Sequence, residues 1–294
     1  MRFTVPPHLL LISVAAIWGF AFVAQSTGME TLGPHSFNAA RFLLGALSLL
    51  PIWLLKRHHG EFSARTLLFG GLAAGTIMFG GFSFQQIGLL HTTAANAGFI
   101  TGMYIVLVPI AGLLLGQSTT MQTWSGIILA ILGLYSLSVG PDFAMGYGDT
   151  LELIGAFFWT AHVIILGWLS RRADAVGLSI IQFMVAALWS GIAAGLYETP
   201  SLPAFEAAWL PLLYVGVASS GIGFTLQVIA QRKVEPGIAA LVLSMESVFA
   251  ALGGWLFLGE QFGSKQLLGC SLMLAGMLVT QWPVRQKQPL PSQS

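Results

Sequence analysis

Charged and aromatic side chains interrupt long apolar runs at a few positions of this sequence. Arg41, Glu246 and His162 are the ionisable examples, and Trp18 and Trp159 are the aromatic ones. Ionisable groups inside apolar helices are costly and usually face the interior of a helix bundle. A guanidinium and a carboxylate could bind the two charged groups of a small zwitterion, carry protons, or pair with each other. The chemistry that these residues indicate is binding and proton transfer at an enclosed site.

Helical spacing places each tryptophan on a stripe that also carries polar groups. Trp18 shares its stripe with Gln25, and Trp159 shares its own with Glu152 and His162. Two tryptophans near the middle of their segments predict an apolar chamber for a small organic solute, such as an amino acid with an apolar side chain. The alternative is that both rings pack between helices or face lipid.

The sequence leaves the role of each of these polar residues open. His162 could donate to a solute carboxylate or take part in proton coupling, or it could hydrogen-bond as a neutral ring between helices. Glu246 is the better candidate for coupling. Arg41 lies a few residues from the outer end of its segment, where it is expected to snorkel and to be structural. Tyr104 is a further polar position that could bind solute or hold helices together.

Composition identifies the class of protein. The chain has 294 residues, of which 55% are hydrophobic and only 8% are charged, whereas about 25% are charged in soluble domains. Most of its surface must therefore face lipid. A net charge of +1 does not favour a nucleic-acid partner, and the lone Cys270 excludes an intramolecular disulfide.

Ten apolar segments are long enough to cross a bilayer core of about 30 Å. They lie near 8–26, 37–55, 66–89, 94–115, 122–139, 149–170, 177–196, 207–230, 236–258 and 265–283. Because backbone groups in lipid must be satisfied within their own segment, these runs are predicted to be helices. The fold class is an all-α integral membrane protein.

The basic residues predict the orientation. With the N-terminus inside, ten of the twelve basic residues fall in cytoplasmic segments. They are Arg2, Lys56, Arg57, Arg65, Arg171, Arg172, Arg232, Lys233, Arg285 and Lys287. This bias predicts a multi-pass protein of the inner membrane with both termini in the cytoplasm.

The chain also contains an internal duplication. The run Gly81-Phe82-Ser83-Phe84-Gln85 returns 142 positions later as Gly223-Phe224-Thr225-Leu226-Gln227. Trp18 matches Trp159 at an offset of 141. Each half holds five segments, an odd number, so the second half must enter the membrane from the opposite side. Such inverted repeats are typical of secondary transporters. Gln85 and Gln227 are then expected at the outer and inner ends of a central pathway, as gates or as interhelical hydrogen-bonding groups.

Several short runs resemble the EamA family of the drug/metabolite transporter superfamily. They are Trp18-Gly19, Ala40-Arg41-Phe42, the run 92–97, and the run from Ser247 through Leu258-Gly259-Glu260. The resemblance implies ten helices in two EamA repeats, and members that export amino acids, other metabolites or drugs from bacteria. Many relatives read Glu-Pro-Val where this chain has Glu246-Ser247-Val248, so the proline kink expected there is in question.

These observations predict an exporter of small metabolites, most of all amino acids, that works by alternating access. The predicted repeats are 8–139 and 149–283, followed by a disordered cytoplasmic tail at 284–294. The solute-binding candidates are Trp18, Gln85, Tyr104, Trp159, His162 and Gln227, and the coupling or ion-pair candidates are Glu246 and Arg41. The expected partners are a small solute, the lipid bilayer and a proton as coupling ion, and no cofactor or metal is expected. A drug exporter, a passive uniporter or channel, and an intramembrane lipid enzyme are the alternatives.

Overall fold

The structure is a computed structural model that describes residues 5–55, 63–116, 118–138, 146–261 and 263–281. These residues form fourteen α-helices and one π-helical segment. They are α1 (Pro7–Gly28), α2 (Pro34–Leu55), α3 (Ala64–Leu89), α4 (Ala94–Thr101), α5 (Tyr104–Leu114), α6 (Met121–Ser138), α7 (Tyr147–Leu169), α8 (Ala175–Tyr197), α9 (Leu202–Ala207), α10 (Trp209–Leu213), the π-helix Tyr214–Phe224, α11 (Thr225–Gln231), α12 (Pro236–Leu243), α13 (Glu246–Phe257) and α14 (Ser264–Gln281).

The helices confirm the predicted all-α membrane architecture. Eight stretches are long and apolar enough to cross a membrane, and shorter apolar stretches in α6 and α14 supply two more. Three of the eight spans are interrupted: α4 with α5, α10 with the π-helix and α11, and α12 with α13. Together these ten apolar stretches agree in position with the ten predicted segments to within a few residues.

The peripheral pair of α6 and α14 shows the inverted relationship of the two halves. A Cβ on Gly126 would lie 2.7 Å from the carbonyl oxygen of Gly276, and one on Gly133 would lie 2.7 Å from that of Gly269. Ascending positions on α6 therefore meet descending positions on α14, so the two helices are antiparallel. The glycines permit this close approach of the backbones, as small residues do between membrane helices.

The centre of the bundle is built from contacts between the two halves. α2 packs on α8, α3 on α7, and α1 on α13 and the π-helix. The rings of Phe42 and Phe183 stack between α2 and α8 with centroids 6.2 Å apart. The interface between the halves is therefore the core of the protein, and a site enclosed there would be reached by side chains of both.

Two spans break at corresponding places. The fourth span turns at Gly102 and Met103, between α4 and α5, and the ninth turns at Ser244 and Met245, between α12 and α13. Ser247 does not prevent this second break. Its hydroxyl donates to the carbonyl oxygen of Gly98 over 2.6 Å, so a hydrogen bond between the halves lies where a proline kink was in question.

Some sequence predictions lie outside the described residues. They include Arg2, Lys56, Arg57, Arg285 and Lys287 among the basic positions, and the tail 284–294. The exact repeat boundaries of 8–139 and 149–283 stay a prediction.

Candidate functional site

All eight residues that the sequence singled out line one cavity in the centre of the bundle. They are Trp18, Arg41, Gln85, Tyr104, Trp159, His162, Gln227 and Glu246. They come from α1, α2, α3, α5, α7, α11 and α13, so both halves contribute to the wall. Their roles stay predictions, but their convergence on one place is a property of the structure.

Four aromatic rings form the apolar part of the wall. The ring of Trp18 lies 4.4 Å from that of Phe224 between centroids, and the ring of Trp159 lies 4.6 Å from that of Phe82. Each pair joins a tryptophan of one half to a phenylalanine of the other. Because Phe82 and Phe224 are the equivalent positions of the duplicated run, the two pairs correspond by the internal symmetry. Rings at these distances interact favourably beyond the area that they bury.

Arg41 is fully buried beside this cavity, so the expectation that it snorkels is wrong. Its Nη1 donates to Gln25 Oε1 over 2.8 Å and its Nη2 to Ser219 Oγ over 3.1 Å. The guanidinium carbon also lies 4.2 Å from the centroid of Phe82. Position 41 is near the end of its span in sequence, but α2 begins at Pro34 and turns this side chain toward α1 and the π-helix. Neutral partners and an aromatic face hold the cation.

No carboxylate among the described residues lies within ion-pair distance of Arg41. Pairing of Arg41 with Glu246, one option that the sequence left open, is therefore absent from this conformation. A buried charge without an opposite charge is costly. The guanidinium next to the cavity is thus suited to an anionic group that arrives from elsewhere.

The π-helix explains how two adjacent serines reach Arg41. Ser219 and Ser220 both direct hydroxyls to the guanidinium, with Ser220 Oγ 3.4 Å from Nε. The carbonyl oxygen of Ser219 also accepts from Trp18 Nε1 over 3.1 Å. The sequence did not reveal this segment, since its counterpart in the first half belongs to the regular helix α3. π-Helical turns are rare and often occur at functional sites.

The two repeat glutamines line the same cavity but differ in their partners. Gln85 Oε1 accepts from Trp159 Nε1 over 3.0 Å, and its Nε2 donates to Gln25 Oε1 over 3.3 Å. Gln227 is equally buried, yet its Oε1 has no hydrogen-bond partner among the described residues. We expected the two amides at opposite ends of a pathway. They instead border one chamber, with one amide satisfied and the other available.

Glu246 is held by a residue of the other half. Tyr104 donates its phenolic hydrogen to Glu246 Oε1 over 2.9 Å, and both side chains are buried. Tyr104 follows the break of the fourth span and Glu246 follows the break of the ninth. The two interrupted helices therefore present their polar groups to each other at the cavity.

Glu152 is a second buried carboxylate that the sequence interpretation did not select. Its Oε2 accepts from Thr101 Oγ1 over 3.1 Å, while its Oε1 lacks a partner among the described residues. Thr101 itself lines the cavity. The signal was present in the sequence, because Glu152 shares the helical stripe of Trp159 and His162.

His162 makes the interhelical contact that was one of its two predicted uses. Its Nε2 lies 3.1 Å from Gln182 Oε1 on α8, and only 1% of the residue is exposed. The ring also packs edge-on against Trp159 and Phe224, with centroids 5.9 and 5.7 Å away. Packing of this kind fixes the ring at the cavity wall.

The chamber is small in this conformation. Its volume is about 40 Å³, which accommodates a few water molecules at most. A solute with the size of an amino acid needs a wider chamber than this conformation provides.

At one end of the bundle, two carboxylates of the second half accept hydrogen bonds from the backbone of the first half. Glu198 accepts from the backbone nitrogens of His35 and Ser36, each over 2.8 Å, at the start of α2. Glu260 Oε1 accepts from the nitrogen of Ala94 over 3.2 Å at the start of α4. Carboxylates are favoured at helix N-termini because the free backbone donors and the helix dipole lie there. Opening at this end would break both contacts.

Glu260 lies beyond the spans and is half buried. Burial raises the pKa of its carboxyl group, and hydrogen bonds from the backbone of Ala94 and Ala95 oppose that shift. Protonation of this group would weaken its hold on α4.

Within the described residues, no group of three or more histidine, cysteine, aspartate or glutamate side chains could hold a metal ion.

Comparison with known proteins identifies the family. The model of the EamA-like transporter family matches residues 6–139 and again 146–282. The chain belongs to the EamA-like transporter family. This places it in the drug/metabolite transporter superfamily, as the resemblance implied. EamA proteins are multi-pass membrane transporters of small molecules.

Relatives of this EamA protein include transporters with and without a named solute. An uncharacterized transporter of Archaeoglobus fulgidus is 31% identical over 92% of this chain and 83% of its own length. The threonine/homoserine exporter RhtA of Escherichia coli is 26% identical over 97% of this chain and 94% of its own. A solved crystal structure with 17% identity superposes with a TM-score of 0.76, covering 93% of this chain and 95% of that one, and so shares the fold.

Proposed function

We propose that this EamA protein is a secondary transporter that exports a small zwitterionic metabolite, of the amino-acid class, across the bacterial inner membrane. The observation that carries this proposal is that a guanidinium and a carboxyl group line one cavity. Among the described residues, Arg41 of the first half lacks a carboxylate partner, and Glu246 of the second half accepts a hydrogen bond from the phenol of Tyr104. An α-carboxylate and an α-ammonium would complement them.

The other residues that line the cavity indicate which further groups the solute would carry. The aromatic pairs of Trp18 with Phe224 and of Trp159 with Phe82 offer an apolar surface for a side chain. The unpartnered Oε1 of Gln227 offers an acceptor for a hydroxyl or ammonium donor. Sites of this kind combine apolar walls with a few convergent polar groups. The threonine/homoserine exporter among the relatives supports the same class of solute.

Transport is proposed to occur by alternating access. The cavity lies between inverted halves, where such transporters carry their sites, and the halves would rock around it. The contacts of Glu198 and Glu260 close one end in this conformation. The bias of basic residues assigns that end to the outside and both termini to the cytoplasm. A proton carried by Glu246 is the proposed coupling ion.

The experiment is transport into inverted membrane vesicles that contain the overproduced protein. Labelled amino acids should accumulate when a proton gradient is imposed, and the Glu246→Gln vesicles should not accumulate them. Glu206→Gln, which changes an exposed glutamate, is the control. Accumulation of drugs or nucleosides in place of amino acids would overturn the proposed solute class. Release of a chemically altered product without accumulation would overturn transport itself.

A further inference from the structure

A second cavity lies on the outside of the bundle and is separate from the transport chamber. It has a volume of about 920 Å³ and lies between the end of α5, the second half of α7 and the start of α12. α7 forms the partition between the two cavities. Trp159, His162 and Val163 face the central chamber, whereas Phe157 and Ala161 line the outer groove.

The walls of this groove are apolar and face the membrane. Phe157 is 57% exposed and Trp168 is 53% exposed, so the groove opens away from the core. Away from its charged end, most of the other wall residues are small or aliphatic, including Ala111, Leu115 and Ile164. A surface of this kind at bilayer depth fits a hydrocarbon chain and not a polar solute.

Charged side chains collect at one end only. Arg171 and Arg172 follow the end of α7, and Glu235 precedes α12. Arg172 is held in place, since its Nη1 donates to the carbonyl oxygen of Trp168 over 2.9 Å and its guanidinium lies 4.5 Å from the Trp168 ring. Arg171 is exposed and makes no ion pair with a described residue. Two cations and one carboxylate give the residues that line the groove a net charge of +1, and Arg232 and Asp174 next to them add one charge of each sign.

The groove therefore has the two parts of a glycerophospholipid site. An acyl chain matches the apolar walls, and a phosphate matches the arginines at their end. Basic pockets between membrane helices bind anionic lipid headgroups in this way, and tryptophan is enriched at the same depth. A single negative charge balances the rim, whereas a zwitterionic headgroup would leave it positive.

The groove also joins the two halves. Pro236 packs against Gly167 closely enough that a Cβ on the glycine would lie 2.7 Å from Pro236 Cγ. The opposite wall, formed by α5, belongs to the first half. A lipid seated between α5 and α7 would touch both bodies that move during transport.

We propose that this groove, lined by α5, α7 and the start of α12, is a binding site for a singly anionic glycerophospholipid whose phosphate contacts Arg171 and Arg172. The site does not depend on which solute the central chamber carries. We therefore expect the intact protein to retain lipids with an anionic headgroup preferentially.

The test is native mass spectrometry of the full chain released from nanodiscs that contain equal amounts of phosphatidylglycerol and phosphatidylethanolamine. The unaltered protein should retain phosphatidylglycerol preferentially. Arg171→Gln together with Arg172→Gln should reduce that retention, by about fivefold for each arginine lost. Glu235→Gln should increase it, because a carboxylate next to the phosphate is removed.

Two further variants separate this site from general effects of charge and folding. Lys233→Gln removes a cation from the loop between α11 and α12 but leaves the groove lining intact, so retention should stay unchanged. Ala161→Trp fills the groove from a lipid-exposed position and should reduce retention although both arginines remain. Equal retention of both lipids by the unaltered protein, or equal loss in Lys233→Gln and the double variant, would overturn the proposal.

Discussion

Tyr104 and Glu246 are hydrogen-bonded over 2.9 Å and stand 142 positions apart, which is the offset that relates the duplicated run containing Gln85 to the one containing Gln227. They are therefore equivalent residues of the two inverted halves, and they meet at the internal symmetry axis. The two residues occupy equivalent positions but differ in chemistry. The first half supplies a phenol donor, and the second half supplies a carboxylate acceptor. A pair of this kind links the two broken helices where they border the cavity.

Glu246 and Tyr104 should respond differently to substitution. Glu246→Gln removes the only carboxylate that lines the chamber within the described part of the chain, so transport should lose its dependence on pH and fall at least about tenfold. Tyr104→Phe keeps the carboxylate and loses one charge-assisted hydrogen bond, worth about 1.5–3 kcal/mol. It should weaken solute affinity and remain pH-dependent. Initial rates at several pH values in proteoliposomes check both, and an unchanged pH profile in Glu246→Gln would remove this residue as the proton carrier.

The sequence predicted much of this arrangement because its signals were local or repeated. Apolar segment length determined the ten spans, and the duplication determined the inverted halves. Residues such as Trp18 and Glu246 were found because polar groups inside lipid need a bundle interior. Arg41 was misjudged because its distance from the helix end is visible in sequence, whereas its contacts with Gln25 and Ser219 come from separate helices. The π-helix was missed for a similar reason, since its hydrogen-bond register leaves no periodic signal.

The two repeat glutamines should differ in stability and transport. Gln85→Leu leaves Trp159 Nε1 without its acceptor in a buried site, which should cost about 1–3 kcal/mol of unfolding free energy. Gln227→Leu removes an acceptor that has no partner among the described residues, so thermal stability should be unchanged or higher. If the solute uses that acceptor, the KM of Gln227→Leu should rise about tenfold. Thermal unfolding in detergent and transport kinetics measure the two effects, and unchanged kinetics in Gln227→Leu would exclude this contact.

Arg41 should not tolerate lysine. Lysine keeps the charge but lacks the planar fork that reaches Gln25 and Ser219 together and stacks on Phe82. We expect Arg41→Lys to raise the KM for the solute by about tenfold or more. Arg65→Lys, at an exposed position near the start of α3, should leave KM unaltered. Equal kinetics of Arg41→Lys and the unaltered protein would show that the guanidinium does not contact the solute.

Glu260 should contribute a pH-dependent element to stability. Its pKa is raised in the folded protein, so the folded state holds a proton at pH values where the unfolded chain has lost it. The stabilisation that this group contributes is therefore fully present at pH values below the ordinary glutamate pKa. It is lost as the pH rises through the pKa that the group has in the folded protein. Glu260→Gln keeps an acceptor for the Ala94 nitrogen and cannot titrate. The difference in melting temperature between the two proteins should change with pH in that window, and a constant difference would contradict the assignment.

The most direct test of the transport cycle is counterflow in proteoliposomes. Vesicles loaded with unlabelled amino acid should take up labelled amino acid faster than empty vesicles, and the excess should pass through a maximum and decay. This result is expected because a chamber that closes between inverted halves returns faster when it is occupied. Uptake that is equal in loaded and empty vesicles and rises linearly with concentration would identify a channel and contradict alternating access.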